Sequence, residues 1–385
     1  MVGLYIHIPY CVRKCKYCDF NSYASATVPD AYIDALTAEL KTLGALHDCA
    51  FDTMFIGGGT PSLLTMCQAK RLFVGIHTYL HISGDAETTM ECNPGTVNGE
   101  KLRAYAGLGI NRLSLGMQSF QDALLKRIGR IHTADDFISA YDAARNAGFT
   151  NINVDLMHGL PGQTQQDYLQ DIRRLLVYRP EHISAYSLIL EEHTPLFDEA
   201  QSHALTLPHA DAVADMQDAG AALLAASGYA QYEVSNYAQN GYCCRHNINY
   251  WQNGMYVGIG AGAHSAWRLQ SGRTAQWTRW ENPLNPVAYM QMAGAPLISR
   301  PISYIGFYEE AFETVMLGLR MKKGVDLAAF KLRFHQSPQA LYPHAVAALA
   351  ARGWLVIDQT HMHFSGAGFD MQNQALLQFM DAHAF

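Results

Sequence analysis

Cys11, Cys15 and Cys18 lie within the segment YIHIPYCVRKCKYCDF. Three thiolates at i, i+4 and i+7 on one short loop can turn toward a common metal centre. A closed tetrahedral site takes four protein ligands, so three leave one metal position open. An iron–sulfur cluster held in this way exposes one iron to an outside ligand, and that iron can do chemistry closed to a purely electron-transferring cluster. The alternatives are a zinc ion completed by a remote histidine such as His7, and a reduced loop with no metal. Ile8, Pro9, Tyr17 and Phe20 surround the loop with apolar and aromatic surface, as a shielded cluster requires.

The elements that would position such a loop are legible from residue 4 to residue 190. Short β-rich runs at Leu4 to Ile8, Thr53 to Gly57, Thr88 to Cys92, Arg112 to Met117, Ile152 to Met157 and Ile183 to Ile189 alternate with longer amphipathic stretches. Pro29 followed by AYIDALTAELKTL places Ile33, Leu36, Leu40 and Leu43 at helical spacing. Strand then helix, six times over, predicts an α/β protein with a parallel sheet and right-handed crossovers, either closed toward a barrel or doubly wound. Periodicity does not choose between the two.

Residues suited to binding fall at the C-terminal ends of these runs, where the loops of a βα barrel build its site. Gly58, Gly59 and Thr60 follow the second run; the glycines permit close backbone approach, and Thr60 offers a hydroxyl and an N–H. Glu91 ends the third run, Gln118 the fourth, with Arg130 beyond it, and Asp155 stands in the fifth. An acid inside an apolar run is costly to bury without partners, which gives Asp155 a binding role. Glu91 taken alone reads more readily as a helix N-terminal acid or a solvated loop charge than as a binding group.

Together, YIHIPYCxxxCxxCDF, the Gly-Gly-Gly-Thr-Pro turn and these strand-end residues resemble the radical S-adenosylmethionine (SAM) enzymes, in the branch shared by oxygen-independent coproporphyrinogen dehydrogenases and HemW-like haem chaperones. The resemblance implies a partial (β/α)6 TIM-like barrel over residues 1–200, a connecting region over 201–300, and a C-terminal winged-helix-like α+β domain over 301–385. It also implies a [4Fe-4S] cluster on Cys11, Cys15 and Cys18, with SAM contacted by Tyr5, Gly58, Gly59, Thr60, Glu91, Gln118, Arg130 and Asp155. The dehydrogenases continue their loop as CxxxCxxCxC, and Phe20 stands here where their last cysteine would be. That difference argues against oxidative decarboxylation of a porphyrinogen.

Further on, CCRHNINYW matches the HNxxYW motif of the HemW-like members at His246, Asn247, Tyr250 and Trp251. The match implies haem bound noncovalently, with His246 on the iron and the aromatic rings against the porphyrin. VGIGAGAHS, with Gly258, Gly260 and Gly262, lacks dinucleotide-fingerprint spacing and reads as a close-packed turn. The implied function is a haem chaperone that delivers haem to apo haem proteins of the respiratory chain. The catalytic alternative is a radical reaction on a tetrapyrrole: coproporphyrinogen decarboxylation, haem methylation or ring opening. Contact with membrane enzymes at their periphery and a cluster-dependent homodimer are left open.

Composition bounds these readings. In 385 residues, 49% are hydrophobic, which suffices for a large core, and the formal net charge of −7 with 16% charged residues provides no basic surface for nucleic acid. A winged-helix regulator of nucleic acid is therefore disfavoured. The absence of a basic leader or a long apolar run, and five further cysteines without paired spacing, lead to the expectation of a cytoplasmic protein.

Overall fold

All six expected strands form, and most extend beyond their expected ends: β1 (Val2–Ile8), β2 (Ala50–Gly58), β3 (His81–Cys92), β4 (Arg112–Gln118), β5 (Ile152–His158) and β6 (His182–Ser187). The computed structural model describes residues 1–44, 49–271, 274–296 and 299–380. Neighbouring members of the six pair in parallel in chain order. Every residue of β4 is buried, the continuous burial expected of a parallel strand covered on both faces. Three of the intervening helices start at threonines whose side chains accept from the third backbone N–H beyond: Thr65, Thr133 and Thr164, each returned by a capping-box partner, Gln68, Asp136 or Asp167. Such caps stabilise each helix by about 1 kcal/mol.

Tyr5, Phe55, Glu91, Ser114, Asp155 and Ser184 come one from each of the six strands and line a single chamber. A flat sheet could not bring them together, so the sheet curls around a lumen, as the partial barrel requires. Residues 201–300, expected only as a connecting region, supply strands to both edges of this sheet. On one side β7 (Ala230–Gln231) and β8 (Asn236–Ala238) extend it past β6. On the other, β9 (Met255–Ile259) runs parallel to β1, followed by β10 (His264–Ser271) and β11 (Thr274–Glu281), and β12 (Ile302–Tyr304), from within the expected third domain, adds to that edge. The chain passes from one edge to the other through a short helix, Arg245–Trp251, under the N-terminal ends of the strands. His246 of this floor helix lies against Thr53 of β2, and both Arg245 and His246 donate backbone N–H groups to Glu87 of β3.

A second apolar core, from Ala311 to Phe379, gathers around Val315, Phe330, Tyr342, Leu349 and Met362. Three helices form within it at Phe307–Gly318, Leu327–Phe334 and Pro343–Ala351. Two strands follow, Leu355–Ile357 and His361–Phe364, and a third, Val325–Asp326, completes a small antiparallel sheet. This is the winged-helix-like arrangement, followed by two helices that periodicity did not signal, Gly366–Asp370 and Gln372–Met380. Residues 381–385 of the expected third domain lie outside the described residues.

One buried carboxylate fastens the first helix, Asp30–Gly44, to the extended sheet edge. Glu39 accepts from the Gly260 N–H at 3.0 Å, Asn282 Nδ2 at 2.9 Å and the Tyr289 hydroxyl at 2.6 Å, and Arg300 Nη2 lies 2.7 Å away. Gly260 sits in the GIGAG turn with φ +98°, and a Cβ there would fall 2.5 Å from the His7 carbonyl oxygen. The turn is close-packed, as its glycines imply. Removing one partner of a buried ion pair strands the other charge, so Arg300→Leu should lower stability by about 3–5 kcal/mol, read as a fall in the urea midpoint with unchanged slope.

Candidate functional site

The cysteine loop sits over the C-terminal mouth of the barrel, held there by backbone pairing. Gly59 N–H donates to the Ile8 carbonyl at 2.9 Å and Thr60 N–H to the Tyr10 carbonyl at 2.8 Å, which joins the tip of β2 to the loop. The approach is possible only because residue 59 lacks a side chain: a Cβ would lie 2.8 Å from both the N and the O of Tyr10 and 3.0 Å from Cys11 Sγ. Gly58, at φ +113°, is excluded from bearing a Cβ by the His7 ring at 2.6 Å. On the far side, Lys16 N–H donates to the Ile128 carbonyl, and Lys16 Nζ lies 2.6 Å from Glu199.

Cys11, Cys15 and Cys18 all line one cavity of about 380 Å³. The Thr60 hydroxyl donates to Cys11 Sγ at 3.4 Å, and Arg130 Nη1 donates to Cys15 Sγ at 3.6 Å. Burial pushes the Cys11 and Cys18 thiols up from their ordinary range, partly opposed by Thr60 at Cys11 and by the Phe20 backbone at Cys18. The donor set suits a multi-iron cluster, which spreads its thiolates over separate irons. It does not suit a single ion, whose donors must all lie about 2.0–2.3 Å from one centre: among the described residues no group of three His, Cys, Asp or Glu side chains could hold a metal ion in that way. The zinc alternative also loses its fourth ligand. His7 is buried, with Nδ1 bonded to the Tyr5 hydroxyl at 2.9 Å and Nε2 to the Asn21 carbonyl at 2.8 Å.

Gly58, Gly59, Thr60, Glu91, Gln118, Arg130 and Asp155 share this cavity with the thiols. The N–H expected to be free at Thr60 is not: Gly58 N–H is taken by Glu91 Oε2 at 3.1 Å, and those of Gly59 and Thr60 brace the loop. The Thr60 hydroxyl is also engaged, accepting from Asn93 Nδ2 at 2.8 Å. Gln118 is buried at φ +71°, a left-handed conformation costly for a residue with a side chain. Its Oε1 accepts from the Tyr186 hydroxyl at 2.8 Å, and the β4–β5 register shifts just before it. Arg130 also donates to Asn93 Oδ1 at 2.9 Å and to the Gly116 carbonyl.

Beneath lies a second chamber of about 270 Å³, joined to the first through their shared walls Glu91, Ser114 and Asp155. Tyr5 lines this lower chamber together with Glu91 and Asp155, and not the upper cavity with the thiols. Burial drives the Glu91 carboxyl up to about 8, with the Asp155 charge adding to the rise and the Gly58 N–H opposing it. Asp155 is raised for the same reason despite a bond from Asn153 Nδ2 at 2.7 Å. Arg112, fully buried at the start of β4, faces the lower chamber. It and Asn93 were missed by sequence reasoning, because an arginine at the start of an apolar run reads as a strand-boundary charge.

His246, expected as a haem ligand, is 1% exposed on the barrel floor, with Nδ1 bonded to the Thr53 hydroxyl at 2.8 Å and Nε2 to the Tyr250 hydroxyl at 3.0 Å. Asn247 and Tyr250 face the lower chamber with it, whereas Trp251 points the other way, into a cleft between the barrel floor and the C-terminal core.

Comparison with known proteins places this architecture. The profile "Radical SAM superfamily" matches residues 5–175, and "HemN C-terminal domain" matches residues 308–371. The heme chaperone HemW of Escherichia coli (strain K12) is 44% identical over 290 residues, covering 73% of this chain and 74% of that protein. HemW of Bacillus subtilis (strain 168) is 36% identical over 383 residues, 99% of each. Among solved structures, the coproporphyrinogen III oxidase HemN from Escherichia coli, described as a radical SAM enzyme, superposes with a TM-score of 0.81 at 22% identity, over 98% of this chain and 89% of that one; it shares the fold.

Two outcomes follow from the site geometry. Gly59→Ala should abolish metal-cluster assembly on anaerobic reconstitution while leaving the far-ultraviolet circular dichroism intact, because its Cβ would push the cysteine loop off the tip of β2. Glu91 has a folded pKa above its ordinary 4.5, so the stability it contributes is full below that value and is lost as pH rises through about 8. Urea midpoints of the protein free of cluster and ligand should therefore fall between pH 5 and pH 8.5, and Glu91→Gln should flatten that fall.

Proposed function

The chain belongs to the radical SAM superfamily, in the branch of the heme chaperone HemW, and on that premise we propose that it is a haem chaperone. In this reading it binds haem, a four-iron cluster and SAM, and passes haem to apo haem proteins of the respiratory chain from the cytoplasm. Among the described residues no helix is long and apolar enough to cross a membrane.

The observation that carries the cofactor assignment is the meeting of three thiols with the strand-end residues in one cavity. Cys11, Cys15 and Cys18 would hold the cluster, with SAM beside it against the carbonyl edge of Gly58 and Gly59 and against Gln118, Arg130 and Asp155. Glu91 would accept the ribose hydroxyls. Together the two groups supply one-electron cleavage of a sulfonium. Arg130 would offset thiolate charge at Cys15, the Thr60 hydroxyl holds Cys11, and Tyr17, Met157 and Tyr186 line the cavity beside the thiols. Tyr5 would act from below, through the lower chamber.

Phe20 supports carriage of haem over decarboxylation of a porphyrinogen. It stands at the position of the dehydrogenases' fourth cysteine, its ring is 63% exposed, and it lines the cavity mouth without offering a ligand or an acid. The retained cavity keeps the catalytic reading, a radical reaction on a tetrapyrrole, as the competitor.

Anaerobic reconstitution should yield about four irons and four sulfides per chain, and Cys15→Ser should remove them. The reconstituted protein, with SAM and reductant, should then be incubated separately with haem and with coproporphyrinogen. We expect haem recovered chemically unchanged and transferable to an apo haem enzyme. Loss of carboxylates from coproporphyrinogen, or methylation or opening of haem, would replace the chaperone by the enzyme.

A further inference from the structure

Resting on the reading of the three thiols as a cluster site, we propose that Asn93 is a positioning residue that aims a hydrogen-bond donor at each of two cluster thiolates and thereby sets the reduction potential of the cluster. Its side chain stands between Thr60 and Arg130 on the cavity wall. Arg130 Nη2 donates to Asn93 Oδ1 at 2.9 Å, and Asn93 Nδ2 donates to the Thr60 hydroxyl at 2.8 Å. Beyond those two partners lie the sulfurs: Arg130 Nη1 donates to Cys15 Sγ at 3.6 Å, and the Thr60 hydroxyl to Cys11 Sγ at 3.4 Å.

The direction of every bond in this chain follows from donor and acceptor chemistry. A guanidinium can only donate, so the amide must turn its oxygen to Arg130 and its NH2 to Thr60. The Thr60 oxygen then accepts from the amide, and its single proton is left for Cys11 Sγ. At the other end, Nη2 is held by Asn93 Oδ1 and by the Gly116 carbonyl, which fixes the plane of the guanidinium and with it Nη1 opposite Cys15. One amide therefore orients both donors.

The root of that amide is fixed as well. Asn93 N–H donates to the Ser62 hydroxyl at 3.3 Å, and the Asn93 carbonyl accepts from the Thr96 hydroxyl at 2.6 Å. The two hydroxyls lie 2.6 Å apart, and since the Thr96 proton is committed to the carbonyl, Ser62 is the donor between them. The backbone of Asn93 is thus closed into a ring of hydrogen bonds. Gly116 leaves room for the pair above it: a Cβ there would fall 3.1 Å from Asn93 Oδ1 and 2.8 Å from Arg130 Nη2.

Adding an electron makes a cluster more negative, so hydrogen bonds to its sulfurs and a nearby positive charge favour the reduced form and raise the potential. Without the Asn93 amide, the Thr60 hydroxyl is no longer confined to Cys11 and Arg130 loses one of its anchors. Both changes favour the oxidised form.

The test is a potentiometric titration of the anaerobically reconstituted full chain in the absence of SAM, followed by the electron paramagnetic resonance signal of the reduced cluster. Asn93→Leu, which removes both polar ends of the side chain at similar volume, should move the equilibrium about tenfold toward the oxidised cluster, a fall of about 59 mV for one electron. Asn93→Ala, which makes no steric demand, should move it in the same direction. Thr60→Val removes the Cys11 donor alone, and Asn93→Leu made in that background should have a smaller effect than in the wild type, because one of its two routes is already gone. Iron and sulfide should remain at about four of each per chain. An unchanged potential in Asn93→Leu and Asn93→Ala with the cluster intact overturns the proposal and leaves the cluster reading standing. If Asn93→Leu assembles no cluster, the potential of Asn93→Ala decides. If the wild type itself assembles no four-iron cluster, the cluster reading fails, and this inference with it.

Discussion

The backbone contact between the tip of β2 and the cysteine loop is the constraint from which the site follows. Two N–H groups of the Gly58-Gly59-Thr60 turn are given up to the carbonyls of Ile8 and Tyr10, so the turn works as a brace. The thiols are thereby fixed over the barrel mouth, and the third N–H, at Gly58, positions Glu91. Because the cysteines bind to one rigid tip, the distance from Cys11 to the strand ends is set by β1–β2 pairing and not by loop flexibility. A glycine run that suggests ligand binding serves here by admitting backbone to backbone, and only its carbonyl edge is left to meet a ligand.

Electrostatics inside the lumen follows from the same closure. Glu91 and Asp155 share the wall between two chambers, and among the described residues neither has a cation in salt-bridge contact; Arg130 faces Cys15 and Asn93, and Arg112 stands at the floor. Burial without a cation partner makes the negative charges costly. A cationic ligand such as a sulfonium, or hydroxyls able to donate, would relieve that cost on entering. The polar wall thus reads as a binding wall whose carboxyls burial shifts toward their protonated form.

Much of this was legible in the sequence because it depends on local rules. The six strands are apolar runs bounded by helix caps, and the cysteine spacing is contiguous. The cleft and the floor were not legible, since they arise where residues far apart in the chain meet. Glu87, within β3, receives the N–H groups of Arg245 and His246, and no window of sequence contains that pairing. Residues 201–300 were hard to read because strands of two or three residues at sheet edges, such as β7 and β8, carry too few positions for a period to show. Arg112 looked like a strand boundary because nothing local distinguishes a boundary charge from a lumen charge.

The motif HNxxYW shows how one short segment can serve two surfaces. A single helical turn separates His246 from Tyr250, so both face the lumen, and the next residue, Trp251, is rotated by about 100° onto the opposite side. His246 spends both nitrogens fixing the helix to β2 and to Tyr250, and that anchoring sets the direction of Trp251.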